Sequence, residues 1–109
     1  MANSYKFYGK AMASSSETTL LTSGSSETII IRSIRITNNT SNTPTISFDV
    51  MDNSQSNTEF TILHTQSLSA NTSVELLSVP LILEKLDALK TTISSTDSVH
   101  IGISYLSVT

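Results

Sequence analysis

The sequence predicts an all-β domain, a single antiparallel β-sandwich or jelly-roll-like unit of seven to nine short strands. Apolar residues recur at every second position in most segments between polar turns, the period of a strand with one buried face. Ser (21), Thr (16) and Asn (7) dominate a chain of 109 residues in which charged residues are only 14%. Helical faces need more Glu, Lys, Arg and Ala than that. This length suffices for one hydrophobic core and not for two.

The elements follow in chain order. Tyr5-Lys6-Phe7-Tyr8 holds half of the six aromatics. It reads either as a first strand packing on its own sheet or as an arm that adds to a neighbouring subunit. In both readings Tyr5, Phe7 and Tyr8 are expected to be buried in the assembled particle, and in the second they are interface residues. Ala11 to Glu17 resembles a linker, so residues 1–16 read as arm and linker and residues 17–109 as the sandwich. Deleting residues 1–10 is then expected to leave the sandwich folded. Thr18 to Thr22 is a short strand, and Ser23-Gly24-Ser25-Ser26 supplies a turn whose Gly accepts positive φ.

Glu27 to Thr37 is the most β-branched stretch, but Ile29 and Ile31 fall on one face and Ile34 and Ile36 on the other. A bulge near Arg32 and Ser33, or burial on both faces, reconciles the halves. Asn38 to Thr43 ends the strand in a polar loop. Pro44 precedes a strand in which Ile46, Phe48 and Val50 alternate with Thr45, Ser47 and Asp49. After the linker Ser54 to Asn57, the pattern puts Phe60, Ile62 and His64 on one face and Glu59, Thr61, Leu63 and Thr65 on the other. Val74 and Leu76, then Leu77, Val79, Leu81 and Leu83, form two alternations that meet at a parity shift. Residues 80–90 fit strand, tight turn and strand, or a helix from Pro80 to Lys90 with Ile82, Leu83, Leu86 and Leu89 on one side. Consistency with the rest of the chain favours the strands. Val99, Ile101, Ile103 and Tyr105 alternate with His100, Gly102 and Ser104 in a final strand.

Chemistry is sparse. No cysteine excludes disulfides and thiolate sites. The net charge of −3 and six scattered basic residues give no stripe for a phosphate backbone, so no nucleic-acid partner is expected. No apolar run spans a membrane, and Lys6 and Lys10 precede no apolar segment of a secretory signal, so neither membrane nor ordinary signal peptide is expected. His64 and His100 lie in predicted strands and read as half-exposed filler, not as ligands or bases. Asp49, Asp52 and Asn53 could offer oxygens to Ca²⁺ but lack an EF-hand's Gly and distal Glu, and read as turn-forming residues. Glu84 and Asp87 are too close in sequence for paired catalytic carboxylates and read as shaping a turn. Three glycines cannot build a phosphate-cradling loop. No catalytic residues, cofactor or metal are expected.

The string Thr28-Ile29-Ile30-Ile31-Arg32-Ser33-Ile34-Arg35-Ile36-Thr37-Asn38 resembles the "apolar-Val-Arg-Ser-Ile-x-Val-x-Asn" strand of small structural proteins of tailed bacteriophages, especially those of marine and cyanobacterial hosts. In order, Leu68-Ser69-Ala70-Asn71-Thr72-Ser73-Val74-Glu75-Leu76-Leu77 is similar to their "Leu-x-Ala-Asn-x-Thr" turn, Pro80-Leu81-Ile82-Leu83-Glu84 to their "Pro-Leu-x-Leu-Glu", and Ser104-Tyr105-Leu106 to their terminal "Ser-Tyr-Leu". One departure is Leu86 before Asp87, where the family usually has Gly-Asp, which leaves the local turn open. The resemblance covers roughly residues 18–109. It implies a non-enzymatic structural protein, a β-sandwich present in many virion copies as capsid decoration, neck or collar component, or tail-associated subunit. Its partners are then other virion proteins and copies of itself, and it is located in the virion, assembled in the host cytoplasm. The alternative is a receptor- or glycan-binding module of a phage fibre, in which Tyr, Asn, Asp and Ser at loop ends recognise sugars.

Overall fold

The computed structural model describes residues 2–109. Nine strands form: β1 (Asn3–Met12), β2 (Thr18–Thr22), β3 (Thr28–Asn38), β4 (Thr45–Asp52), β5 (Thr58–Ser67), β6 (Ser73–Glu75), β7 (Leu81–Leu83), β8 (Ala88–Ile93) and β9 (Val99–Val108). One sheet, A, has the order β1-β9-β3, with β6 and β7 paired in succession along the far side of β3; the other, B, has the order β2-β8-β4-β5. Every pairing is antiparallel. The partners are nested along the chain: β1 with β9, β2 with β8, β3 with β6 and β7, β4 with β5. This is one long hairpin rolled over itself, the jelly-roll arrangement.

The inner faces meet in an aliphatic core. Sheet A contributes Met12, Ile29, Ile31, Ile34, Ile36, Val99, Ile101 and Ile103, and sheet B contributes Leu20, Leu21, Ile46, Phe48, Leu89 and Ile93. Phe48 is the one fully buried aromatic among the described residues. The parity change in β3 is a bulge: the register to β9 shifts between Ile31 and Ser33, so Arg32 is the extra residue and both isoleucine pairs reach the core.

Residues 80–90 are strand, turn and strand. Ile29, Ile30 and Ile31 pair with Leu83, Ile82 and Leu81, and the helix alternative does not form. The turn closes because the Asp87 carboxylate accepts from the Glu84 N–H at 2.9 Å and places Leu86 at a φ of 65°. The parity reading of β5 needs correction. Phe60 pairs with Val50 and Leu63 with Phe48, so these two share the inner side. Two register shifts, around Ile62 and around His64-Thr65, break the alternation. Thr65 takes a φ of 45°, and its N–H is satisfied by Ser47 Oγ at 2.9 Å.

Buried polar groups pin both ends of the sandwich. Asn38, 1% exposed, donates through Nδ2 to the carbonyls of Asn42 (2.8 Å), Leu68 (3.3 Å) and Ser69 (3.2 Å). Its Oδ1 accepts from Thr40 N–H (3.0 Å) and Thr40 Oγ1 (2.8 Å). One amide thereby ties the loop after β3 to the loop after β5. At the opposite end the Asp87 carboxylate accepts from Asn53 N–H at 2.9 Å, and the Asp87 carbonyl accepts from Ser23 N–H. Among the described residues no buried side-chain nitrogen or oxygen lacks a partner.

Candidate functional site

A jelly roll leaves sheet edges open, and the edges here differ. β2 is five residues long with a register shift at Leu20, β6 and β7 are three residues each, and β5 carries two shifts and the left-handed Thr65. Short strands and bulges are the usual means of blunting an edge. β1 has neither. It pairs with β9 over ten residues without a shift, from Asn3 opposite Val108 to Met12 opposite Val99.

The pairing fixes which backbone groups remain free. Ala2 and Thr109 exchange both hydrogen bonds, at 3.0 and 2.9 Å. In an antiparallel ladder such pairs alternate, so the even residues of β1 bond to β9. The N–H and C=O groups of Asn3, Tyr5, Phe7, Gly9 and Ala11 therefore point away from the sheet. The side chains of these odd residues stand on the outer face of sheet A, while Tyr8 and Met12 turn to the core. β1 is thus an integral edge strand of the isolated chain. Removing residues 1–10 would take away one of the two strands that flank β9, leaving β9 paired with β3, and would remove Tyr8 from its place against the core.

Of the three interface residues predicted from the sequence, Tyr8 is half-buried against the core, whereas Tyr5 is 78% and Phe7 71% exposed. Phe7 lies over a pair of glycines: Gly9 stands opposite Gly102, and a Cβ at Gly102 would come within 3.0 Å of Phe7 Cε1. The glycines let the ring lie close to the backbone. Toward the chain termini an apolar row crosses the outer face, with Tyr5 opposite Leu106, Leu106 opposite Ile30, and Ile30 opposite Ile82. On the other side of Phe7 an open groove of about 400 Å³ is flanked by Lys10, Arg35 and His100, and no carboxylate lines it.

The remaining candidates separate. Asp52 caps the 3-10 turn at Asn53–Gln55, accepting from Ser54 N–H at 3.0 Å and Ser54 Oγ at 2.6 Å. Asn53 Nδ2 donates to Asn57 Oδ1. These are turn-forming residues, and Asp49 does not join them. Asp49 sits on the outer face of sheet B, its carboxylate within 4.8 Å of those of Glu17 and Glu59, with Lys90 Nζ 3.9 Å from Glu17 and 3.6 Å from Glu59. Burial, then Glu59, raises the Glu17 carboxyl above its usual range against the pull of Lys90. This cluster was not legible in the sequence because its members come from four separate segments. His64 and His100 are exposed on opposite sheets. Glu84 and Asp87 shape the turn between β7 and β8.

Other carboxylates seal strand ends. Glu75, at the gap between β6 and β7, accepts from Ser33 Oγ, Ile34 N–H (2.9 Å) and Leu77 N–H (3.2 Å). Burial alone would raise its carboxyl, but these donors and Arg35 together hold it below the ordinary value. Glu27 is lowered by Ser107 Oγ–H first and then by Gly24 N–H. Asp97 is lowered by Ser95 and by Asn42, whose Nδ2 lies 2.8 Å away.

No protein-family model matches the chain, and no curated protein matches its sequence. Among solved structures, a chain of the Bacillus endospore appendages, described as disulfide-linked pili, is similar over 97% of this chain and 84% of its own, at a TM-score of 0.57 and 8% identity. A chain of the infectious bursal disease virus Gx strain is similar over 96% of this chain and 32% of its own, at 0.57 and 7% identity. A chain of the T13 particle of the same virus gives 96%, 30%, 0.55 and 9%. The present chain therefore spans about a third of those two viral chains. At such identities the likeness is one of fold, and it places this chain among the jelly-roll-like β-sandwiches.

Proposed function

We propose that this chain is a non-enzymatic structural subunit of a tailed-phage virion. It is present in multiple copies and binds neighbouring virion subunits through the β1 edge and the adjoining outer face of sheet A. The observation that carries the reading is the continuous, bulge-free ten-residue edge beside two exposed aromatics. Free main-chain groups supply affinity to an added strand, and Tyr and Phe supply anchoring area. The motif order along residues 18–109 supports phage origin, and the fold shared with pilus and capsid chains is compatible with assembly. These 109 residues contain no cysteine, so they cannot form disulfide links between copies such as those of the appendage pili. Capsid decoration, neck or collar, and tail-associated positions all accommodate such a subunit, and assembly in the host cytoplasm suits a thiol-free chain. Light scattering of the free protein, followed by co-sedimentation with particles lacking it, tests the reading. Saturable binding at a fixed copy number is expected, and absence of binding contradicts it.

A second reading, a glycan-binding module of a phage fibre, has one observation in its favour: the groove beside Phe7, with Lys10, Arg35 and His100 around it and no carboxylate. That lining suits an acidic sugar, its ring stacked on Phe7 and its carboxylate held by Arg35. Binding of sialic or uronic acid oligosaccharides, lost in Arg35→Ala, supports this reading, and indifference to them removes it.

A further inference from the structure

The β1 edge also indicates which partner it takes. We infer that β1 pairs with β1 of a second copy of this chain, antiparallel about a two-fold axis at Phe7, joining the two A sheets into one continuous sheet. This deepens the assembly reading above and rests on it for its biological setting, but not for its geometry.

The free groups set the rule. Only Asn3, Tyr5, Phe7, Gly9 and Ala11 present outward N–H and C=O groups, so a two-fold pairing must place odd residues opposite odd residues. Charge then chooses the register. Lys6 and Lys10 are the only charged side chains of β1. An axis at Lys6 sets Lys6 opposite its own copy, and an axis at Tyr8 sets Lys6 opposite the other copy's Lys10; like charges directly opposite are destabilising. Axes at Tyr5 or Gly9 avoid this clash but shorten the overlap. With the axis at Phe7 residues 3–11 all pair, which gives about ten main-chain hydrogen bonds. Lys6 then faces Tyr8 and Lys10 faces Ser4 of the other copy.

The side chains agree with that register. The two-fold axis is perpendicular to the sheet, so both outer faces lie on the same side. Phe7 meets Phe7, and each Tyr5 stands opposite the other copy's Gly9, over which that copy's own Phe7 ring lies, so Tyr5 comes against an aromatic ring. Four aromatics that are mostly exposed in the single chain are covered in the pair. The other long edge, β5, offers no such continuity, because its bulges and the φ of 45° at Thr65 interrupt the ladder.

The test uses the chain's lack of cysteine. Sedimentation equilibrium of the wild type at about 100 μM should give twice the chain mass. Phe7→Cys places two thiols opposite each other at the axis, with Cα atoms roughly 5.5 Å apart, so a short bifunctional thiol reagent should link copies. In Ala11→Cys each thiol lies opposite Asn3, far from its counterpart, and should not link. Tyr5→Pro loses no intramolecular bond because its N–H faces outward, so at dilutions where both proteins are monomers it should melt like the wild type, yet its dimer should dissociate at least ~10-fold more readily. A monomeric wild type, equal linking of both cysteine variants, or an undiminished Tyr5→Pro dimer overturns the self-pairing. A monomer that still binds particles overturns the self-pairing alone, whereas a dimer that ignores particles upholds it and overturns the virion reading.

Discussion

Replacing Asn38 by Asp changes one atom of the side chain and reverses its hydrogen bonding. In the native protein Nδ2 donates toward three carbonyl oxygens at 2.8, 3.3 and 3.2 Å, inside a site that is 1% exposed. A carboxylate oxygen in that place faces three acceptors with no proton to offer. Each lost bond removes about 1 kcal/mol net. Burial of an unpaired charge brings the total to about 3–5 kcal/mol, a large part of the roughly 5–15 kcal/mol that holds a domain together. The bonds from Thr40 to Oδ1 persist and keep the loss toward the lower figure. The introduced carboxyl has a folded-state pKa raised above the unfolded value of about 3.9. The folded state therefore gains relative to the unfolded as pH falls, and the penalty shrinks below neutrality. Urea unfolding of wild type and Asn38→Asp, at pH 7 and near pH 5, measures both effects. A variant within about 1 kcal/mol of wild type at pH 7, or a penalty that grows on acidification, refutes the role assigned to this amide.

Three further outcomes follow from the same packing. Leu86 sits at a φ of 65° and is 42% exposed. Leu86→Gly should raise stability by about 0.5–1 kcal/mol, whereas Leu86→Val should lower it; the reverse order in thermal melts contradicts the turn geometry. Ile103, fully buried between Tyr8 and Ile34, should not tolerate Asp, and a soluble, cooperatively melting Ile103→Asp protein contradicts the strand register. Glu27, Glu75 and Asp97 have lowered folded-state values, so their contribution is full above the ordinary carboxylate range and is lost as pH falls through the folded values. Glu75→Gln should therefore flatten the decline of stability between about pH 5 and pH 3. An unchanged slope in acid titration followed by circular dichroism would argue against it.

How much of this was legible depended on whether the signal was local. The alternation of Ile46, Phe48 and Val50, and of Val99 through Tyr105, marks β4 and β9 because each residue's face is set by its neighbours. The β3 bulge announced itself through the parity change at Arg32-Ser33. β5 misled for the opposite reason: its bulges leave no parity signal, and the pattern of Phe60, Ile62 and His64 conceals that Phe60 and Leu63 share a side. The turn at Leu86 hid behind a residue that rarely takes positive φ, held there by Asp87 and by a hydrogen bond from Leu86 N–H to the Ser23 carbonyl, sixty-odd residues away in the chain. For the candidate site, the cluster Tyr5-Phe7-Tyr8 stood out by composition alone. Which of the three face outward required the register to β9. The glycine pair under Phe7 and the carboxylates around Lys90 are long-range juxtapositions that spacing does not encode.

The central claim is that the outer edge of β1 joins this subunit to its neighbours. Its most direct measurement compares wild type with a Tyr5→Ser/Phe7→Ser variant for saturable binding to particles that lack the protein. Both residues are exposed, so the two proteins should melt alike. The account predicts a fixed number of bound wild-type copies and loss of that binding in the variant. Equal binding by both would contradict it.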